Sequence, residues 1–237
     1  VPEGAELPDR LRAVLSVLYL VYNAGADDVL RRDLRVEAIR LGRLLVELML
    51  AEPEPEGPLA LMLLNEARVP ARGGDGEVVL LEDQDRSLWD TALIAEGQEL
   101  VLICLRQGRL APFQLQAAIQ ALHCAANRYE DTNRTSIVRF YDRLVAIMPT
   151  PVVALNRAVA VAETEGPGEA LLLLDDLADD LSSYYPLHAA PGSLLDRLGR
   201  RAEAATAYAR AAELARTDPA KRFLQEQRPS HGLHASS

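Results

Sequence analysis

The sequence predicts an all-α protein built from antiparallel helix pairs. Apolar residues recur at i, i+3, i+4 spacing through most of its length, and Pro and Gly fall between these runs. Only one short run, Glu77 to Leu81, reads as β-like. The composition of the 237 residues, 49% hydrophobic and 25% charged, is that of a packed globular chain and excludes disordered and collagen-like classes.

Leu11, Val14, Leu15, Leu18 and Tyr22 define a first helix, with Asn23-Ala24-Gly25 as its expected C-cap. Leu34, Ala38, Leu41, Leu45 and Leu48 form the apolar stripe of a second helix, whose other faces carry arginines and glutamates. The Pro53 to Pro58 segment breaks the chain, and Pro58 suits the first turn of a helix reaching about Arg68. A turn-rich loop, Pro70 to Gly76, precedes the extended run. Ser87 is placed to cap the next helix, with Asp90 returning the hydrogen bond, and that helix should reach Gln107. Pro112 opens a helix to about Arg128, and Asp131-Thr132 precedes one ending at Pro149. Further helices are expected near Val152–Glu163, Pro167–Leu181, Leu187–Leu198 and Ala202–Arg216.

The C-terminal half carries a repeat. His188, Gly192, Leu195, Gly199, Ala204, Tyr208 and Ala211 keep the small-residue and aromatic spacings of a tetratricopeptide unit. A step back of 34 residues places Ala158 on Gly192, Ala170 on Ala204 and Leu174 on Tyr208. A third unit is read over Gln114 to Pro149. The expected organisation is an N-terminal helical subdomain over 1–110, tetratricopeptide-like repeats over 111–227 and a frayed tail over 228–237.

Twenty-five Lys and Arg against 35 Asp and Glu give a formal net charge of −10, which disfavours nucleic-acid binding by this chain alone. The two cysteines, Cys104 and Cys124, sit in apolar runs as free thiols of a reducing, cytoplasmic protein do. No signal peptide is read, and no apolar stretch approaches a membrane span. The first residue is Val1, not Met, and suggests a longer natural polypeptide.

Arg72, Asp75, Glu82, Asp83, Gln84, Asp85, Arg86 and Trp89 form the densest polar constellation. Its carboxylates invite comparison with a cation site, but the EF-hand pattern is missing and the arginines are expected to neutralise them as ion pairs. His123 and Cys124 are adjacent on a helix and point about 100 degrees apart, a poor geometry for a catalytic pair. No catalytic, metal-binding or cofactor-binding motif is present, so the expectation is a non-enzyme without cofactors. Gln116, Asn133, Arg134, Asn156 and Arg157 are candidates for lining a groove that holds a partner segment.

Taken together, Leu11 to Asn23 (LRAVLSVLYLVYN), Arg32 to Leu45 (RDLRVEAIRLGRLL), Leu59 to Arg72 (LALMLLNEARVPAR), Gly76 to Trp89 (GEVVLLEDQDRSLW), Ile94 to Gly97, Gln114 to Ile119 and Pro151 to Val161 (PVVALNRAVAV) resemble a known family. It is the C-terminal, tetratricopeptide-like extension of extracytoplasmic-function RNA polymerase sigma factors, and the resemblance covers nearly the whole chain. It implies a regulatory, protein-interaction domain that contacts the sigma domains of the same polypeptide or the polymerase core. DNA would be touched only through those sigma domains, which this chain lacks. Candidate contacts are Asn23, Arg72, Glu82 to Arg86, Trp89, Gln114, Gln116, Asn156 and Arg157. Asn23-Ala24-Gly25-Ala26 and Thr132-Asn133-Arg134 depart from the family's usual sequences; Glu82 to Arg86 keeps its pattern. The alternative is a small-molecule sensor or vestigial enzyme with a pocket near Arg72, Glu82–Arg86 and Trp89.

Overall fold

A computed structural model describes residues 7–26, 31–49, 52–72, 78–108, 110–177 and 183–227. The fold is all-α: eleven α-helices and no strand among the described residues. The chain divides into two compact units, residues 1–136 and 137–237. The break lies later than the 110/111 boundary read from the sequence, because the helix at Pro112–Ala125 packs with the helices before it. The helix expected to open a third repeat therefore belongs to the first unit.

In the first unit, α1 (Leu7–Ala26) pairs with α2 (Arg32–Leu48), and α3 (Glu56–Glu66) packs against both, as well as against α4 (Thr91–Gln107) and α5 (Pro112–Ala125). The reason lies in α3 itself. Gly57 through Leu64 are all buried, so this helix is apolar on every side and must be surrounded by others. Leu18, Tyr22, Ala38, Ile39, Leu59, Met62 and Leu63 form the core where α1, α2 and α3 meet. Gly97 lets α4 approach α3 closely: a Cβ there would lie 2.7 Å from Leu64 Cγ.

Three local expectations are corrected. Helix α1 does not stop at Asn23-Ala24-Gly25 but runs through it. Gly25 is needed for a close approach of α2, since a Cβ would stand 2.7 Å from the Arg31 carbonyl oxygen and 2.8 Å from Arg35 Cγ. Residues Val78 to Leu80 are not a strand. Finally, Asp90 and not Ser87 caps α4, its carboxylate accepting from the Ala92 and Leu93 amides. Asp85 meanwhile accepts from the Ser87 amide and caps a short 3-10 turn, Arg86–Leu88.

Helix α6 (Arg134–Ile147) crosses the division, with Asn133 accepting from the Ser136 amide near its start. In the second unit α7 (Pro151–Ala162), capped by Thr150, pairs with α8 (Pro167–Asp175), and α9 (Tyr185–Arg197) pairs with α10 (Arg201–Leu214). Leu155, Ala158, Ala162, Ala170, Leu174, Leu187 and Leu194 make one core, and Leu195, Ala204, Tyr208, Ala211 and Leu224 belong to the next. Gly192 receives the Tyr208 ring, whose atoms would be 2.9 Å from an added Cβ. A further helix, α11 (Asp218–Glu226), is capped by Thr217 and lies beyond the set expected from the sequence. The tail at 228–237, the loop at 73–77 with Asp75, and the end expected for α8 beyond residue 177 lie outside the described residues.

Candidate functional site

The polar constellation read from the sequence separates into two parts. Glu82, Asp83 and Asp85 are exposed, and among the described residues none of them pairs with Arg72 or Arg86. Among the described residues the expected ion-paired junction is not formed; Asp75 lies outside them. Gln84 donates to the Val79 carbonyl at 3.4 Å and leaves its buried Oε1 without a partner.

The arginines turn inward instead. Arg86 follows the cap residue Asp85 and lies over the Trp89 ring, 4.4 Å from its centroid. Its Nη1 donates to the carbonyls of His123 and Ala126, both at 2.8 Å, and so closes the C-terminal end of α5. Arg72 follows a second 3-10 turn, Val69–Ala71, and its Nη2 donates to Asn65 Oδ1 at 3.4 Å. Arg68, which no motif singled out, donates to the same oxygen at 3.3 Å. The Asp90 amide donates to the Ala67 carbonyl at 2.9 Å, which ties the start of α4 to the end of α3. Three arginines thus gather where the C-terminal ends of α3 and α5 meet.

Burial makes this gathering costly. Arg68 is only 7% exposed, and its basicity is pulled down to about 10, first by desolvation and then by the charge of Arg72. Desolvation also lowers the Arg86 pKa. His123 is held down to about 4 by burial and by the charges of Arg68, Arg86 and Arg134. The Cys124 thiol is raised by burial, the three arginines opposing that rise. Its Sγ lies 3.9 Å from the Leu64 carbonyl oxygen. Arg68 Nε, Arg86 Nη2, Trp89 Nε1 and His123 Nδ1 are buried without hydrogen-bond partners.

Beside this junction, Glu66 is already satisfied. It accepts from Arg35 Nε at 2.9 Å and from the Tyr22 hydroxyl at 3.3 Å, while Arg35 Nη1 reaches the Gly25 carbonyl at 2.6 Å. Burial, followed by the Glu66 charge, raises the Tyr22 pKa. Asn23 is half-buried on α1 and hydrogen-bonded with the Tyr19 side chain, so it belongs to the polar edge of the same core.

The remaining candidates lie apart. Gln114 is buried, donates to the Pro53 carbonyl at 3.5 Å and lines a cavity of about 220 Å³ with Pro53, Glu54, Leu110 and Ala111. Gln116 donates back to Pro112 within α5. Asn156 is exposed on α7, and Arg157 beside it pairs with Asp142 at 2.7 Å. Among the described residues no three His, Cys, Asp or Glu side chains are grouped to hold a metal ion, and no helix is long and apolar enough to cross a membrane. Arg68 and Asn65 are not singled out by the sequence because they close a long apolar run and match no motif, and His123 reads only against its neighbour Cys124. The available signal was a pair of arginines, Arg68 and Arg72, ending a helix otherwise apolar all round.

Residues 10–104 match the model of DUF6596, a family of unknown function, which covers α1 through most of α4. An uncharacterized protein of Rhizobium meliloti (strain 1021) is 44% identical over 232 residues, which are 95% of this chain and 55% of that protein. The chain therefore spans about half the length of that relative. No solved structure matches the chain.

Proposed function

We propose that this chain is a non-enzymatic regulatory and protein-interaction domain of a cytoplasmic extracytoplasmic-function sigma factor. It supports transcription initiation by contacting the sigma domains of its own polypeptide or the RNA polymerase core, with a tetratricopeptide-like array as its interaction scaffold. The observation that carries this reading is the agreement of burial with the 34-residue step. Ala158 and Gly192, Ala170 and Ala204, and Leu174 and Tyr208 are all buried, each pair at equivalent places in α7–α8 and α9–α10. Repeated units of this kind bury small residues between paired helices and leave polar positions such as Asn156 for a partner. The sequence resemblance, which spans both units, supplies the identity of that partner.

The test is capture of purified sigma domains and of core polymerase by the immobilised chain, alongside transcription from a cognate promoter with and without it. Capture of either partner and an increase of at least several-fold in transcript are expected. Failure of both capture and transcript change overturns the reading.

A further inference from the structure

We propose that the arginine junction at the C-terminal ends of α3 and α5 binds a phosphoryl group, as inorganic phosphate or on a small phosphorylated molecule. The proposal stands whether or not the sigma-domain reading does.

Charge is the first indication. Several arginines elsewhere are neutralised at close range, Arg35 by Glu66, Arg43 by Glu96 and Arg157 by Asp142; what sets the junction apart is that its cations are buried or half-buried. Arg68, Arg72 and Arg86 have no carboxylate within ion-pair distance among the described residues, although the chain carries 35 acidic side chains. Glu66 is taken by Arg35 and Tyr22. Glu130, whose field reaches Arg86, lies with Arg128 at 3.8 Å. The carbonyl ends of two helices offer about half a negative charge each. Three full positive charges exceed that. An unpaired buried charge is among the most destabilising features a fold can carry, and a counter-ion removes the penalty.

The buried donors point the same way. Arg68 Nε, Arg86 Nη2 and Trp89 Nε1 are groups that donate and do not accept, and all three are buried without partners. Trp89 is 5% exposed and Arg68 7%. A carboxylate is satisfied by one bidentate arginine, whereas a phosphoryl group presents three or more oxygens and up to two negative charges to several arginines at once. Arg72 and Arg86 are only half-buried, so both guanidinium side chains keep contact with solvent.

Trp89 is the single tryptophan of the chain and lies against Arg86, so its fluorescence reads the site directly. The full chain is titrated with inorganic phosphate, pyrophosphate and glycerol phosphate, against chloride and malonate at matched ionic strength. A saturable Trp89 response to the phosphoryl compounds is expected, weakened at least tenfold in Arg72→Gln, which gives up only the long bond to Asn65 among the described residues. Tighter binding of glycerol phosphate identifies a phosphorylated metabolite as the source, and equal or tighter binding of phosphate identifies the free ion. Arg68→Met, which removes a buried unpaired charge, is expected to melt no lower than the parent without anion and to lose the anion-induced rise in Tm. The proposal is overturned by the absence of a saturable response in the parent protein, by an undiminished response in Arg72→Gln, or by malonate binding as well as phosphate.

Discussion

His123 shows how the arginine junction governs a single side chain. Burial and the charges of Arg68, Arg86 and Arg134 hold its pKa near 4, against an ordinary 6.5. The native imidazole therefore stays neutral through a range in which the unfolded chain takes up a proton. Because the unfolded state binds more protons between pH 6.5 and about 4, stability falls as the pH drops through that window and is unaffected above it. The shift corresponds to roughly 3 kcal/mol at its lower end. His123→Gln should flatten the decline of urea-unfolding stability between neutral pH and about pH 4 by that amount. Equal pH dependence in variant and parent would show that the histidine is not shielded as described. This environment was hidden in the sequence. His123 and Cys124 were legible as neighbours, but the arginines above them come from 37 and 55 residues earlier, and only the fold brings those segments together. Trp89 and Arg86 were legible as a cluster, yet their partners were not: an arginine beside a run of acidic residues reads as ion-paired until the backbone carbonyls of α5 are in view.

Helix packing separates what the local pattern can reveal from what it cannot. The long amphipathic helices were readable because each repeats its apolar residue over several turns. Helix α11 buries only Ala220 and Leu224, one turn apart, too few positions to establish a period. Gly25 reads as a helix end because glycine commonly is one; its actual reason, the backbone and side chain of α2 against it, is non-local. The same logic assigns opposite signs to two other glycines. Gly97 is buried inside α4, and its added Cβ would press on Leu64, which is fully enclosed. Alanine there gains about 1 kcal/mol of helix propensity but forces a core side chain to move, so Gly97→Ala should destabilise by about 1–2 kcal/mol net. Gly168 lies exposed in the first turn of α8 with nothing within 4 Å. Gly168→Ala should stabilise by about 0.5 kcal/mol through the unfolded chain. Urea denaturation of both variants checks the pair, and a stabilising Gly97→Ala would mean that α3 and α4 are further apart than described.

Charge acts on the chain as a body. A net −10 is spread over two units, and many surface arginines are held by nearby acids, as Arg43 is by Glu96 and Arg197 by Glu163. Of the three arginines of the junction Arg68 is buried and Arg72 and Arg86 are half-buried, so they offer no exposed row of cations to a polymer. Duplex DNA presents about one negative charge per 1.7 Å and is held by rows of accessible cations, and a net charge of −10 works against such binding. A labelled duplex should therefore keep its free anisotropy when the protein is added at near-physiological salt. Lower salt is the sharper condition. Binding through surface cations strengthens steeply as counter-ions are removed, whereas repulsion between two negative bodies only reaches further as the screening length grows. The expected result is no binding at either salt concentration; affinity that rises on dilution of salt would place a basic face on this protein. A small phosphoryl anion escapes this exclusion, because it needs only the short-range donors of Arg68, Arg86 and Trp89. Phosphate binding together with indifference to DNA is thus the combination expected of the proposed site in a chain of this charge.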